Sequence, residues 1–242
     1  MTITTILVLI LFCIGASIIQ RITGFGFGIF IMTVLPFIMP SYGEATALSG
    51  LLAVIQSLLI TIKYFKYISF KKLIPILITF IVISYFAISC MAILNDYFLK
   101  KVLGVILILV GLYFFFFDEK IHIKPTIPNQ IGLGSISGFM GGFFGMQGPP
   151  AVLYFLSTAN SKEQYLVLAQ AYFLVGNIFM TIFRAEKGFV TMAVGQAWLI
   201  ALVAIYIGSW IGAFFFNKIS ISLLKKISYT YMGISGIIAL IV

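Results

Sequence analysis

Apolar residues in this chain run on in long blocks, and the polar residues gather in short stretches between them. The blocks are Ile3–Gln20, Phe25–Met39, Ala45–Ile62, Leu73–Leu94, Leu99–Phe117, Ile131–Met146, Pro149–Thr158, Tyr165–Phe183, Val190–Phe216 and Leu223–Val242. A helix that crosses the hydrocarbon core of a bilayer needs about 20 predominantly apolar residues. Most of the blocks approach that length; the second, sixth and seventh fall short. The pattern therefore predicts an all-α, polytopic membrane protein.

The short blocks flank glycine clusters. Gly24–Gly28 reads Gly-Phe-Gly-Phe-Gly, and Gly138–Pro150 reads Gly-Phe-Met-Gly-Gly-Phe-Phe-Gly-Met-Gln-Gly-Pro-Pro. Glycine and proline are the residues that interrupt a helix. An unbroken helix from Ile3 to Met39 would be about 55 Å long, against a hydrocarbon core of about 30 Å. The chain is expected to bend back at the break, as two half-helices or as a span followed by a re-entrant piece. Broken helices leave N–H and C=O groups unpaired, which lipid tolerates only where protein buries them or a watery cavity faces them. Two such breaks in corresponding places of two halves point to a binding site.

Composition supports the membrane reading and narrows the chemistry. The 242 residues are 62% hydrophobic and 9% charged, with a mean hydropathy of +1.19, whereas soluble domains carry about 25% charged residues. The formal net charge of +9 is spread along the chain, mostly in short loops. Membrane topology and lipid contact explain it better than nucleic acid does. Cys13 and Cys90 stand far apart within apolar runs, which argues against a thiol relay. Met1–Thr5 has no basic side chain and more spans follow, so the first block reads as a retained helix rather than a cleaved signal.

The chain also resembles itself. A shift of 119 residues places Gly15 on Gly134, Phe25 on Phe144, Gly26 on Gly145, Glu44 on Glu163 and Phe70 on Phe189. Six further residues align Lys100-Lys101 with Lys225-Lys226. These matches fall on the breaks, the acidic starts of the next helices and a dibasic loop, which predicts two repeats, residues 1–120 and 121–242. Each is expected to hold about four helices, the first of them Gly/Pro-broken or re-entrant. If each broken stretch is a hairpin, the repeats become inverted copies. One side then collects Lys63, Lys66, Lys71, Lys72, Lys120, Lys124, Lys162, Lys218, Lys225 and Lys226, against Lys100, Lys101, Arg184 and Lys187 on the other. The positive-inside rule then places both termini outside a plasma membrane.

The first N–H groups of a restarted helix lack carbonyl partners, and the helix dipole adds about half a positive charge there. Such an end is suited to a compact oxyanion, and proline fits a first helical turn. The expected ligand cradle is Gly24, Phe25, Gly26, Phe27 and Gly28 with Gly142, Gly145, Met146, Gln147, Gly148 and Pro149. The competing explanation is that these glycines serve only close helix packing. Arg21, Gln56 and Asn177 are the expected polar supplement, because charged and polar groups inside apolar spans need partners. Arg21 could equally snorkel to an interface, and Gln56, Gln170 and Asn177 could equally bond between helices.

Thr23-Gly-Phe-Gly-Phe-Gly followed by Pro36, and Gly138 to Pro150 running into Ala151-Val-Leu-Tyr154, resemble the two signature stretches of the TauE/SafE sulfite exporter family. The resemblance covers essentially the whole chain. It implies a membrane transporter for sulfite, sulfoacetate or other small sulfur-containing or organic anions. Gln147 stands where glycine is common in the second signature, putting a side-chain donor and acceptor there. It either tunes ligand choice or caps a helix end.

Other chemistry is absent from the sequence. Glu44 and Glu163 open matched helices, where an acid is favoured by the dipole, and Asp96, Asp118, Glu119 and Glu186 read as loop residues. His122 reads as solvated, and one histidine with isolated cysteines makes no metal site. No nucleophilic triad, P-loop or dinucleotide fingerprint is present, so neither enzyme activity nor a cofactor is expected. The reading is a secondary transporter with a midplane anion site and alternating access, compatible with a coupled ion and with a homo-oligomer. The rivals are a membrane-embedded scaffolding protein and an anion channel.

Overall fold

The computed structural model describes residues 2–117, 123–215, 234 and 236–241. Its helices are α1 (Ile3–Thr23), α2 (Phe27–Ile31), α3 (Leu35–Ile38), α4 (Tyr42–Tyr64), α5 (Phe70–Met91), α6 (Asp96–Phe117), α7 (Ile127–Phe144), α8 (Gly148–Thr158), α9 (Lys162–Glu186) and α10 (Met192–Phe215). No strand occurs among the described residues. Five helical stretches among them are long and apolar enough to cross a membrane: Ile3–Thr23, Tyr42–Tyr67, Phe70–Met91, Glu163–Glu186 and Met192–Phe215. The chain is thus a polytopic all-α membrane protein. Asp118, Glu119, Lys120, His122, Lys218, Lys225, Lys226, the division at residue 120 and most of the last apolar block lie outside the described residues.

Several boundaries follow from local chemistry. Ser41 and Ser161 cap α4 and α9, each side chain accepting from the backbone N–H three residues on, which satisfies one of the orphan donors of a helix start. The Glu44 carboxylate in turn accepts from the Ser41 hydroxyl at 3.1 Å. Asp96, read from the sequence as a loop residue, instead opens α6 and accepts the Tyr42 N–H at 2.9 Å. The second apolar block is not one helix but two short ones, α2 and α3, separated by a turn at residues 32–34.

Three helix pairs tie the halves together: α5 with α7, α1 with α10, and α4 with α9. The glycines give their register. A Cβ at Gly134 or Gly142 would come within 2.7 Å of the Ile76 carbonyl oxygen or 2.4 Å of the Ala87 Cβ, so α5 and α7 run parallel. Gly208 meets Ile14, and Gly212 meets Arg21, so α1 and α10 also run parallel. Gly43 meets Phe189 while Gly50 meets Thr181, which makes α4 and α9 antiparallel. Small residues permit such close packing where no hydrophobic force drives helices together.

The distribution of polarity is that of a protein in lipid. Ile78, Val82, Leu199, Val203 and Trp210 are exposed on the outside, while Gln20, Gln56, Gln170, Asn177 and Arg184 are buried within. Arg184 differs from its reading as a loop cation: it lies in the last turn of α9 and is wholly buried.

Candidate functional site

Both glycine clusters interrupt their helices. After α1, Gly24 and Gly26 take φ of 83° and 98°, and α2 starts at Phe27. After α7, Gly145 takes φ of 67°, and α8 starts at Gly148. These angles lie in the left-handed region that side chains with a Cβ disfavour, so the interruptions are fixed by residue type.

Each break sends the chain back along the helix it came from. Phe30 of α2 stacks on Phe12 of α1 with ring centroids 5.6 Å apart. In the second half, Gln130 near the start of α7 donates to the Tyr154 hydroxyl near the end of α8. Lys72, at the start of α5, donates to the Thr158 carbonyl that ends α8.

Side chains satisfy part of the freed backbone. At the first break the Gln20 Oε1 accepts the Phe27 N–H at 3.3 Å, and its Nε2 donates to Gln170 Oε1 at 3.0 Å. The Gln170 Nε2 in turn donates to the Gly24 carbonyl at 2.6 Å. At the second break the Tyr172 hydroxyl donates to Ser137 Oγ at 2.7 Å, and Ser137 donates to the Gln147 carbonyl. Pro149 and Pro150 have no N–H, so the amides at the very head of α8 belong to Gln147 and Gly148.

The two breaks touch. A Cβ at Gly28 would stand 2.3 Å from the Gly145 carbonyl oxygen, and Ser49 Oγ lies beside both residues. Around this contact is a small, partly open cavity, lined by Gln20, Gly26, Gly28, Ile29, Ala53, Gly145, Met146, Gln147, Gly148, Phe173 and Asn177. Gln147 Oε1 is buried there with no hydrogen-bond partner among the described residues. The Gln20 and Asn177 amides already donate, to Gln170 and to the Phe173 carbonyl, so the donors left for an oxyanion are the backbone N–H groups that begin α2 and α8.

Of the residues expected from the sequence, Gly26, Gly28, Gly145, Met146, Gln147, Gly148 and Asn177 line this cavity. Gly24 holds the left-handed turn next to it, and Phe25, Phe27 and Pro149 are buried beside it. Gly142 faces Ala87 of α5 and serves helix packing. Arg21 packs against Gly212 of α10. Gln56 donates to the Ser17 carbonyl of α1 at 3.3 Å, bonding helix to helix.

Two residues were not singled out by sequence reasoning. Gln20 lies one turn before the first break, and its position there was the available signal. Arg184 Nη2 donates to the carbonyls of Gly141 at 2.8 Å and Gly142 at 3.2 Å, closing the last turn of α7. Its signal was the polar spacing Asn177, Thr181, Arg184, which puts three polar groups on one face of an apolar helix.

The model of the family described as Sulfite exporter TauE/SafE matches residues 8–238. No curated protein and no solved structure matches the chain.

Proposed function

The chain belongs to the TauE/SafE sulfite exporter family, a family of membrane transporters, and we propose that it is a secondary transporter of small oxyanions, sulfite or related sulfonates. The anion would bind in the cavity where the two helix breaks meet. The observation that carries this reading is the contact of Gly28 with the Gly145 carbonyl beside amides from both breaks. Helix dipoles and neutral donors bind a compact anion there without a buried counter-charge.

The same reading includes two inverted repeats. It is supported by the pairing of α1 with α10 and of α7 with α5, each parallel, about an antiparallel α4–α9 pair. An axis between α4 and α9 that exchanges them also exchanges the other two pairs. Rocking of one repeat against the other would open the cavity to each side in turn. The remaining cations favour the same topology: with Arg184 buried in α9, the less basic side keeps Lys100, Lys101 and Lys187.

The test is flux. Proteoliposomes preloaded with labelled sulfite, thiosulfate, sulfoacetate or acetate should show saturable movement for at least one sulfur oxyanion, with the others competing. No movement of any anion by folded, inserted protein would remove the transport reading in favour of a scaffold. Electrical conductance far above carrier rates would replace it with a channel.

A further inference from the structure

Arg184 has more hydrogen-bonding capacity than its structural role uses. A guanidinium carries five N–H donors; Nη2 closes the end of α7, while Nε and Nη1 have no partner among the described residues. No ion pair to Arg184 occurs among them either, the one pair there being Lys187 with Glu186. The carboxylate of Glu44, in the first turn of α4, is engaged by the hydroxyls of Ser41 and Thr191. A buried cation without an anion is costly, and capping two carbonyls does not supply its counter-charge.

The surroundings are also under-used. The Tyr42 hydroxyl and Thr181 Oγ1 are buried and have no hydrogen-bond partner among the described residues. Tyr42 adjoins Gly43, which packs on Phe189, and the Phe189 N–H donates to the Arg184 carbonyl at 2.9 Å, so Tyr42 sits at the same end of the α4–α9 pair as the guanidinium. Thr181 Oγ1, Arg184 Nη1 and Asn177 Oδ1 converge on bare Gly50, at 3.3, 3.4 and 3.8 Å from where its Cβ would be. Asn177 also lines the cavity between the breaks. A polar face of α9 therefore leads from that cavity, past the missing side chain of Gly50, to the unneutralised guanidinium.

We propose that Arg184, with the hydroxyls of Tyr42 and Thr181, forms a second oxyanion station between the break-lined cavity and the end of the bundle where α4 begins and α9 ends. This rests on the anion-transport reading and adds a residue-level path to it. The station takes a compact oxyanion because every orphan group in it can donate: N–H from the guanidinium and O–H from two hydroxyls. In transport the guanidinium would draw the anion out of the neutral cavity and release it toward that end.

The experiment compares wild type with Tyr42→Phe, Thr181→Val and Arg184→Lys, each reconstituted and assayed for labelled-sulfite flux, with melting in detergent measured in parallel. Among the described residues the two hydroxyls bond nothing, so a purely structural cluster predicts no loss of transport when they are removed. The second station predicts that Tyr42→Phe and Thr181→Val each raise the half-saturating sulfite concentration about tenfold, the worth of a hydrogen bond to a charged group, with melting unchanged or raised. Arg184→Lys keeps the charge but loses the fork geometry, and should impair transport more than either. Saturable wild-type flux with wild-type values in Tyr42→Phe and Thr181→Val would overturn the station and leave the transporter standing. Absence of anion flux in wild type would overturn both.

Discussion

Replacing Gly28 with alanine adds one methyl group at the point where the two breaks meet. That carbon would lie 2.3 Å from the Gly145 carbonyl oxygen and 3.4 Å from its carbonyl carbon. Ordinary contacts sit roughly 1 Å further out. The obstacle is backbone, held by the Gly145 N–H bond to Gly141 O at 3.0 Å, so no rotamer change relieves it. The halves must separate locally, and overpacking of this kind costs about 1–3 kcal/mol. For a chain of this size that is a fall of about 2–12 °C in melting temperature. Gly148 is the matched control. It lines the same cavity, but its added Cβ would meet Phe25 at 3.7 Å and Phe173 at 3.8 Å, which are ordinary contacts. Thermal melting in detergent and sulfite flux in proteoliposomes should therefore show Gly28→Ala destabilised and impaired, with Gly148→Ala melting like wild type. If both variants melted and transported alike, the contact between the breaks would not be what builds the site.

Two further outcomes follow from the geometry. Gln20→Leu strips the acceptor from the Phe27 N–H and the donor from Gln170, so it should destabilise by about 1–3 kcal/mol; a double-mutant cycle with Gln170→Leu in equilibrium unfolding should show coupling of about 0.5–3 kcal/mol, and simple additivity would deny the network. Gly142→Val drives a side chain into Ala87, whose Cβ is 2.4 Å from the added carbon, so it should lower the melting temperature while the surviving folded fraction keeps its half-saturating sulfite concentration; a selective loss of affinity would place Gly142 in the site instead.

The breaks could be read before folding because their cause is local. Gly24, Gly26 and Gly145 take backbone angles that their residue type favours, and the length of Ile3–Met39 exceeds any single span. Arg184 could not be read the same way. It sits four residues before Gly188, among Arg-Ala-Glu-Lys, where the composition is that of a loop. Its burial comes from α7, which is remote in sequence and brings the carbonyls of Gly141 and Gly142 against it. Gly142 makes the same point in reverse: its sequence neighbours belong to the break, but its packing partner is Ala87 on α5.

The sequence alone determined the solvent, the all-helical class, the two interruptions and the family signature, because each depends on composition or on the φ preferences of single residues. Tertiary structure decided which ends meet, which glycines serve the cavity and which serve packing, and that the one fully buried arginine among the described residues reaches the second break. Those outcomes depend on which helix lies against which, and residues far apart in the chain supply the opposing surfaces. The amide of Gln20 illustrates the division: its type permits a bond to backbone, but only the approach of α9 gives it Gln170.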